Sequence, residues 1–399
     1  TCYGASDGTI VIASPTGGYG NYEYTIDGGA TWQASGNFTG LSSGFYNVQM
    51  RDAIYNGCVK ILYPSFRISE PSILAAFVQK TNVTCNGASD GTIMIMAATG
   101  GSGAYEFSIN GGISWQALGS FTGLGPGTYN VMIRDAAHTG CIATLNNALV
   151  ISEPAAITAT ITSTDVTCNG ANNGMIVISG ASGGSGYYQY TIDGGSSWSG
   201  MNMFSNLAPG MYDVRIRDAS APGCVIILNG SLSINEPAAL DASLHKTDIT
   251  CYGAADGTIT ISSPSGGSGT YEYSINGGGT WQSSGIFTNL PPGNYNVLIR
   301  DAASINCVKI LNASYAITQP GMLTATVGKT DISCNGANNG SIIITSPAGG
   351  YGTYEYSIDG GINWQPSGNF TSLSAGTYDV RIRDALNISC STVLSPALV

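Results

Sequence analysis

The chain has 399 residues, with 24 acidic against 13 basic side chains and a formal net charge of −11, which leaves no clustered basic surface for DNA or RNA. Only 9% of residues are charged and 56 are glycine, yet 43% are hydrophobic. That is too apolar for a disordered chain and fits short strands joined by many turns, while the lack of any run of 18 apolar residues argues against a membrane-spanning helix.

Trp32, Trp115, Trp198, Trp281 and Trp364 lie 83 residues apart, so one module is written five times. Glu70-Pro71, Glu153-Pro154, Glu236-Pro237 and the variant Gln319-Pro320 mark the ends of the first four copies. Proline fixes φ and removes a ladder donor, which suits a strand end or a stiff joint. The modules are therefore 1–71, 72–154, 155–237, 238–320 and 321–399. The next strand begins almost at once after each proline, so a rod is expected rather than a flexible string. The first copy lacks the opening strand and the fifth lacks the closing Glu-Pro. With no Met or signal segment before Thr1, this reads as a processed product, as a window on a longer array, or as a module whose edge strand a neighbouring chain supplies.

In the second copy, Ile73 to Lys80 reads as the opening strand and Cys85 to Gly91 as a turn-rich loop. Thr92 to Met96 is the next strand, with Ile93 and Ile95 inward. Their counterparts Ile10/Ile12, Ile176/Ile178, Ile259/Ile261 and Ile342/Ile344 do not change, whereas the residue between them varies. One buried and one wet face explains that contrast. Gly100 to Gly103 is a loop, and Tyr105 to Gln116 follows as a hairpin: alternating aromatics, a turn, and a return strand starting at Ser114-Trp115-Gln116. Phe121 to Gly127 gives another strand and turn. Thr128 to Asp135 is a strand with Tyr129, Val131 and Ile133 inward, and Ile142 to Ile151 closes the module. About seven short strands in 83 residues predict an all-β, immunoglobulin-like sandwich, and Leu124 to Tyr129 has the pattern of a tyrosine corner. A five-bladed propeller competes, but four-stranded blades take about 40–50 residues.

The hairpin turn resembles the Asp-box, Ser-x-Asp-x-Gly-x-Thr-Trp, known from sialidase propellers, with Thr25, Asp27, Gly29, Thr31 and Trp32 in place. The resemblance covers eight residues per copy and implies a hairpin. Asp27, Asp193 and Asp359 could ligate calcium, but Asn110 and Asn276 replace them elsewhere, which favours a turn role; no cofactor is expected.

Ten cysteines form two series on the same grid. Cys2, Cys85, Cys168, Cys251 and Cys334 open the modules, and Cys58, Cys141, Cys224, Cys307 and Cys390 follow 56 residues later. No Cys-x-x-Cys occurs and His138 and His245 fall at different repeat positions, so zinc is not expected. One disulfide per module in an oxidising compartment is the natural reading. Pairing within a copy, as Cys2–Cys58, uses all ten, whereas pairing as Cys58–Cys85 strands Cys2 and Cys390.

Catalytic patterns are missing. Gly17 to Gly20 lacks the third glycine and helix of a nucleotide loop. Glu23, Glu106, Glu272 and Glu355 could serve a glycosidase dyad, but the third copy has Gln189. The pairs Arg51-Asp52, Arg134-Asp135, Arg217-Asp218, Arg300-Asp301 and Arg383-Asp384 recur, and fit a strand-end Arg with a turn-fixing Asp better than a ligand site. Tyr19 and Tyr351 could meet sugars but suit loop positions. Sequons at Asn37, Asn82, Asn229, Asn312, Asn339, Asn369 and Asn387 make glycosylation possible.

The pattern Cys-Asn-Gly-Ala-x-Asp-Gly-Thr-Ile, then Gly-Gly-x-Gly-x-Tyr-x-Tyr-Ser-Ile, then Phe-Thr-x-Leu-x-x-Gly-Thr-Tyr-x-Val-x-Ile-Arg-Asp-Ala, resembles the SprB-repeat family across essentially every copy. Those repeats occur in very large surface proteins of gliding and related bacteria. The resemblance implies secretion to the cell surface, extended filaments and adhesion, with no catalytic residues. The expectation is a structural segment of an extracellular fibre, partnered by further repeats or by itself. The alternatives are a multivalent carbohydrate-binding adhesin meeting surface glycans and, less well founded, a sialidase-like hydrolase.

Overall fold

The computed structural model describes residues 1–399, and every regular element in it is a β-strand. No helix is long and apolar enough to cross a membrane. The second repeat shows the plan. Its strands are β1 (Ala75–Thr81), β2 (Gly91–Thr99), β3 (Tyr105–Ser108), β4 (Ser120–Leu124), β5 (Gly127–Asp135) and β6 (Ile142–Ile151). One antiparallel sheet runs β1-β2-β4 and the other β3-β5-β6 with β5 central.

Side-chain alternation decides which face of each sheet turns inward. Ile93 and Ile95 of β2 meet Phe107 of β3, Val131 and Ile133 of β5, Val83 and Ile151 in one core, while Met94 between the two isoleucines stays exposed. Burying one such Ile or Val stabilises the fold by about 1.5–3 kcal/mol. Strand order A-B-E on one sheet and C-F-G on the other is the immunoglobulin-like sandwich. Six strands are present rather than about seven, because no D strand forms: the chain between β3 and β4 is occupied by the Asp-turn loop. The expected return strand at Trp115 is reduced to one bridge, Phe107 to Gln116. The tyrosine corner is present in all five copies. Tyr129 donates its hydroxyl to the Gly125 carbonyl at 2.9 Å, and Tyr46, Tyr212, Tyr295 and Tyr378 do the same four residues upstream.

The first repeat has no β1 equivalent. Its Gly8–Val11 strand pairs only with Asn37–Leu41, and Ile12 there is only half-buried. The chain divides into two compact units, the first taking Thr1–Ile161, Ile178–Asn202 and Asp213–Gly230, the second Thr162–Val177, Met203–Tyr212 and Ser231–Val399. The first holds the core around Ile93, and the second holds the cores around Ile259 and Ile342.

Candidate functional site: the stapled joints

The recurring side chains with chemical potential are used on themselves. Arg134 at the end of β5 faces Glu106 on β3, because the two strands pair at that register. Its guanidinium lies 2.6 Å from Glu106 Oε2 and 4.6 Å from the centroid of the Trp115 ring. The same clamp holds Arg51 to Glu23 and Trp32, Arg300 to Glu272 and Trp281, and Arg383 to Glu355 and Trp364. In the third copy Arg217 donates twice to Gln189 Oε1, so a neutral acceptor fills the place of the carboxylate. The glutamates considered for a dyad are thus each bound to an arginine.

The partner aspartate is a knot. Asp135 is buried, 1% exposed, at the end of β5. It accepts the Ser102 hydroxyl and N–H from the β2–β3 loop and the N–H groups of Ala137 and His138 from the β5–β6 loop. These donors, the Ser102 hydroxyl foremost, outweigh burial and hold its carboxyl at about 2. Asp52 is lowered by the N–H groups of Tyr19 and Ile54, and Asp218 by Ser185. For Asp301, burial pushes upward, but the Ser268 hydrogen bonds prevail. The loop must come close enough to wrap the carboxylate. A Cβ on Gly101, whose φ is +59°, would sit 2.4 Å from Asp135 Oδ2, so the position requires glycine.

The Asp turn is also closed internally. Asp27 accepts the Thr25 hydroxyl at 2.6 Å and the Thr31 N–H at 3.0 Å, and its carboxyl is held below the ordinary range despite desolvation. Asn110 takes the same Ser108 and Ser114 bonds with Oδ1 and returns one from Nδ2 to the Ser114 hydroxyl. The Asp–Asn exchange therefore preserves a turn.

The joints differ from expectation. Disulfides link Cys2 to Cys141, Cys85 to Cys224, Cys168 to Cys307 and Cys251 to Cys390, each across 139 residues. The expected pairing within a copy, Cys2–Cys58 and its equivalents, does not occur, and Cys58 and Cys334 are free and exposed. The reason lies in the sandwich. Cys85 sits just before β2, whose first residue Gly91 lies against Ile151, and Ile151 pairs with Gly127 at the start of β5. Cys141 comes after the other end of β5, nine residues or about 30 Å away. Disulfide geometry needs Cα atoms within about 7 Å. The opening-loop cysteines Cys2, Cys85, Cys168 and Cys251 instead meet the β5–β6 loop of the following repeat.

Hydrogen bonds reinforce these joints. The Gly87 N–H donates to Glu153 Oε2 at 2.7 Å, repeated by Gly4 with Glu70, Gly170 with Glu236 and Gly253 with Gln319. Asn86 Nδ2 donates to the Pro154 carbonyl and Asn169 to that of Pro237. The glutamate of Glu-Pro thus ties the strand end to the loop that carries the staple, a role its spacing from the Cys-x-Gly turn could have signalled.

The remaining candidates are dispersed. Tyr19 is exposed and stacks on Tyr55, whereas the Tyr351 hydroxyl donates to the Thr250 carbonyl beside Cys251. His138 lies 3.8 Å from Asp135, and His245 sits in a strand opposite Thr260. Asn37, Asn82, Asn229, Asn339 and Asn369 are exposed; Asn312 and Asn387 are half-buried. No three His, Cys, Asp or Glu side chains converge.

Among known proteins, no curated sequence matches the chain. Similar solved structures include the three N-terminal domains of the bacteriophage RB49 Highly Immunogenic Outer Capsid protein, at 9% identity and TM-score 0.28, covering 61% of this chain and 95% of that one. A tetra-tandem repeat from the extending region of a large adhesion protein follows at 13% identity and TM-score 0.24, covering 81% and 98%. The four N-terminal Ig domains of Dscam1 isoform 4.4 give 12% identity and TM-score 0.18, covering 82% and 99%. The SprB repeat family matches residues 1–31, 78–113, 160–197, 243–280 and 326–363, once in every module at the same place, where the opening loop, β2 and the Asp turn recur. The chain accordingly carries five matches to the SprB repeat, one in each module.

Proposed function

We propose that the chain is a structural segment of an extracellular surface fibre, acting as a stiff spacer that holds an adhesive or anchoring part away from the cell. One observation carries this reading: consecutive repeats are locked by a disulfide at each joint rather than joined by a flexible linker. The disulfides favour an oxidising, extracellular setting, and the SprB-repeat assignment favours the cell surface. A non-enzymatic role is supported by the use of the recurrent glutamates in arginine clamps and of the recurrent aspartates in loop knots. Its partners are further repeats of the same kind.

Small-angle scattering on the oxidised chain tests the reading. Five modules of roughly 30–40 Å each predict a maximum dimension of about 150–200 Å. A compact particle would sink it. A glycan array that detects binding shared by the repeats would replace the spacer with a multivalent carbohydrate-binding adhesin.

A further inference from the structure

The four staples have a consequence that their number alone does not convey. Cys2–Cys141 closes residues 2–141, Cys85–Cys224 closes 85–224, Cys168–Cys307 closes 168–307 and Cys251–Cys390 closes 251–390. Each loop begins before the previous one has ended, so the overlaps 85–141, 168–224 and 251–307 leave no uncovered peptide bond between Cys2 and Cys390. We infer that the chain is a covalent ladder: any single backbone break between Cys2 and Cys390 leaves the two pieces joined through at least one disulfide.

This property belongs to pairing across the joint and not to the presence of disulfides as such. Staples closed within each repeat would leave 58–85, 141–168, 224–251 and 307–334 uncovered. Those segments contain the Pro-marked joints and the edge strands that follow them. Several of their residues are exposed, among them Lys80, Ala155 and Asp165. They are the places where a surface protein meets proteases first. With the observed pairing, a cut after Ala155 is bridged by Cys85–Cys224 and a cut after Lys246 by Cys168–Cys307. The joint hydrogen bonds and the Asp knots hold each severed end in its fold, so a nicked molecule keeps its architecture as well as its connectivity. The function served is retention of whatever the distal end carries after proteolytic damage. That biological sense rests on the fibre reading above; the covalent claim does not.

The test is a nick at a joint. A recognition sequence for a sequence-specific protease is inserted after Ala155 in the full chain, the protein is oxidised and cut, and denaturing electrophoresis is run with and without a dithiol. The dithiol supplies two electrons and two protons per disulfide, giving two thiols and its own cyclic disulfide. Cut but unreduced protein should run as one species with the mass of the uncut chain, and reduced protein as two fragments. The same insertion carrying Cys85→Ser and Cys224→Ser should separate without reductant. Separation of the cut parent without reductant would overturn the inference. Should the insertion prevent folding, tryptic digestion of the unaltered chain limited to one cut per molecule reads the same property: the pairs 1–80 with 81–399 and 1–246 with 247–399 must separate only after reduction, and their separation without a dithiol refutes the ladder. Neither outcome depends on molecular dimensions, so scattering can fail the spacer while the ladder stands.

Discussion

At the scale of single residues, the chain contains a natural experiment. The Arg–Trp stack is kept in every copy, but the side chain that accepts from the Arg is a glutamate in four of them and Gln189 in the third. A half-buried Arg–carboxylate pair contributes about 0–1 kcal/mol, and a cation over a Trp face about 0.5–2 kcal/mol. The ring and the packing of the Arg stem therefore matter more than the acceptor's charge. Glu106→Gln should shift stability by less than about 0.5 kcal/mol, whereas Arg134→Ala should cost about 1–2 kcal/mol because Trp115 and Glu106 both lose their partner. Urea denaturation of the two variants followed by Trp fluorescence checks the ranking. Equal losses would mean that the ion pair, not the stacking, holds the loop.

At the scale of elements, the staple position follows from which loops share an end of the sandwich. The eight paired cysteines are closed, and only Cys58 and Cys334 should react with a maleimide in the native oxidised protein. Mass spectrometry of the labelled chain should show two adducts at those positions. None, or adducts at Cys2 and Cys390, would contradict the pairing. The strands themselves were legible because burial imposes a period of two. Ile93 and Ile95 alternate with the variable Met94, and β6 falls on Ile142–Ile151 as its pattern predicts. The Tyr129 corner was legible because its two residues lie four apart in sequence. The return strand at Trp115 was not, because the ring leaves the ladder to stack on Arg134. The disulfide partners were not legible either. Sequence spacing reports repeat period, whereas pairing depends on whether two loops occupy the same end of a module, which only the folded sheet order determines.

At the scale of the whole molecule, the repeated knots should govern the response to acid. The net charge of −11 at pH 7 reaches zero near the isoelectric point of about 4.4, so acid relieves self-repulsion above that pH and builds positive repulsion below it. Below that point the knots act in the same direction as the growing charge. Asp52, Asp135, Asp218 and Asp301 are all held below the ordinary carboxylate range, Asp135 at about 2. A carboxyl depressed in the folded state stabilises fully above its unfolded value, about 3.9, and loses that contribution as pH falls through its folded value. Stability should therefore be level down to about pH 4 and decline between about pH 4 and 2. Protonation also removes the acceptor that joins the β2–β3 loop to the β5–β6 loop, the loop carrying the second cysteine of each staple. Thermal melts of the oxidised chain at stepped pH, with Asp135→Asn beside the parent, read this directly. The variant should melt earlier at neutral pH and show a shallower acid decline, because one titrating knot is gone. A variant that declines as steeply as the parent would show that growing positive charge and not the knots sets the acid response, and that loop closure at the joints rests on the disulfides alone.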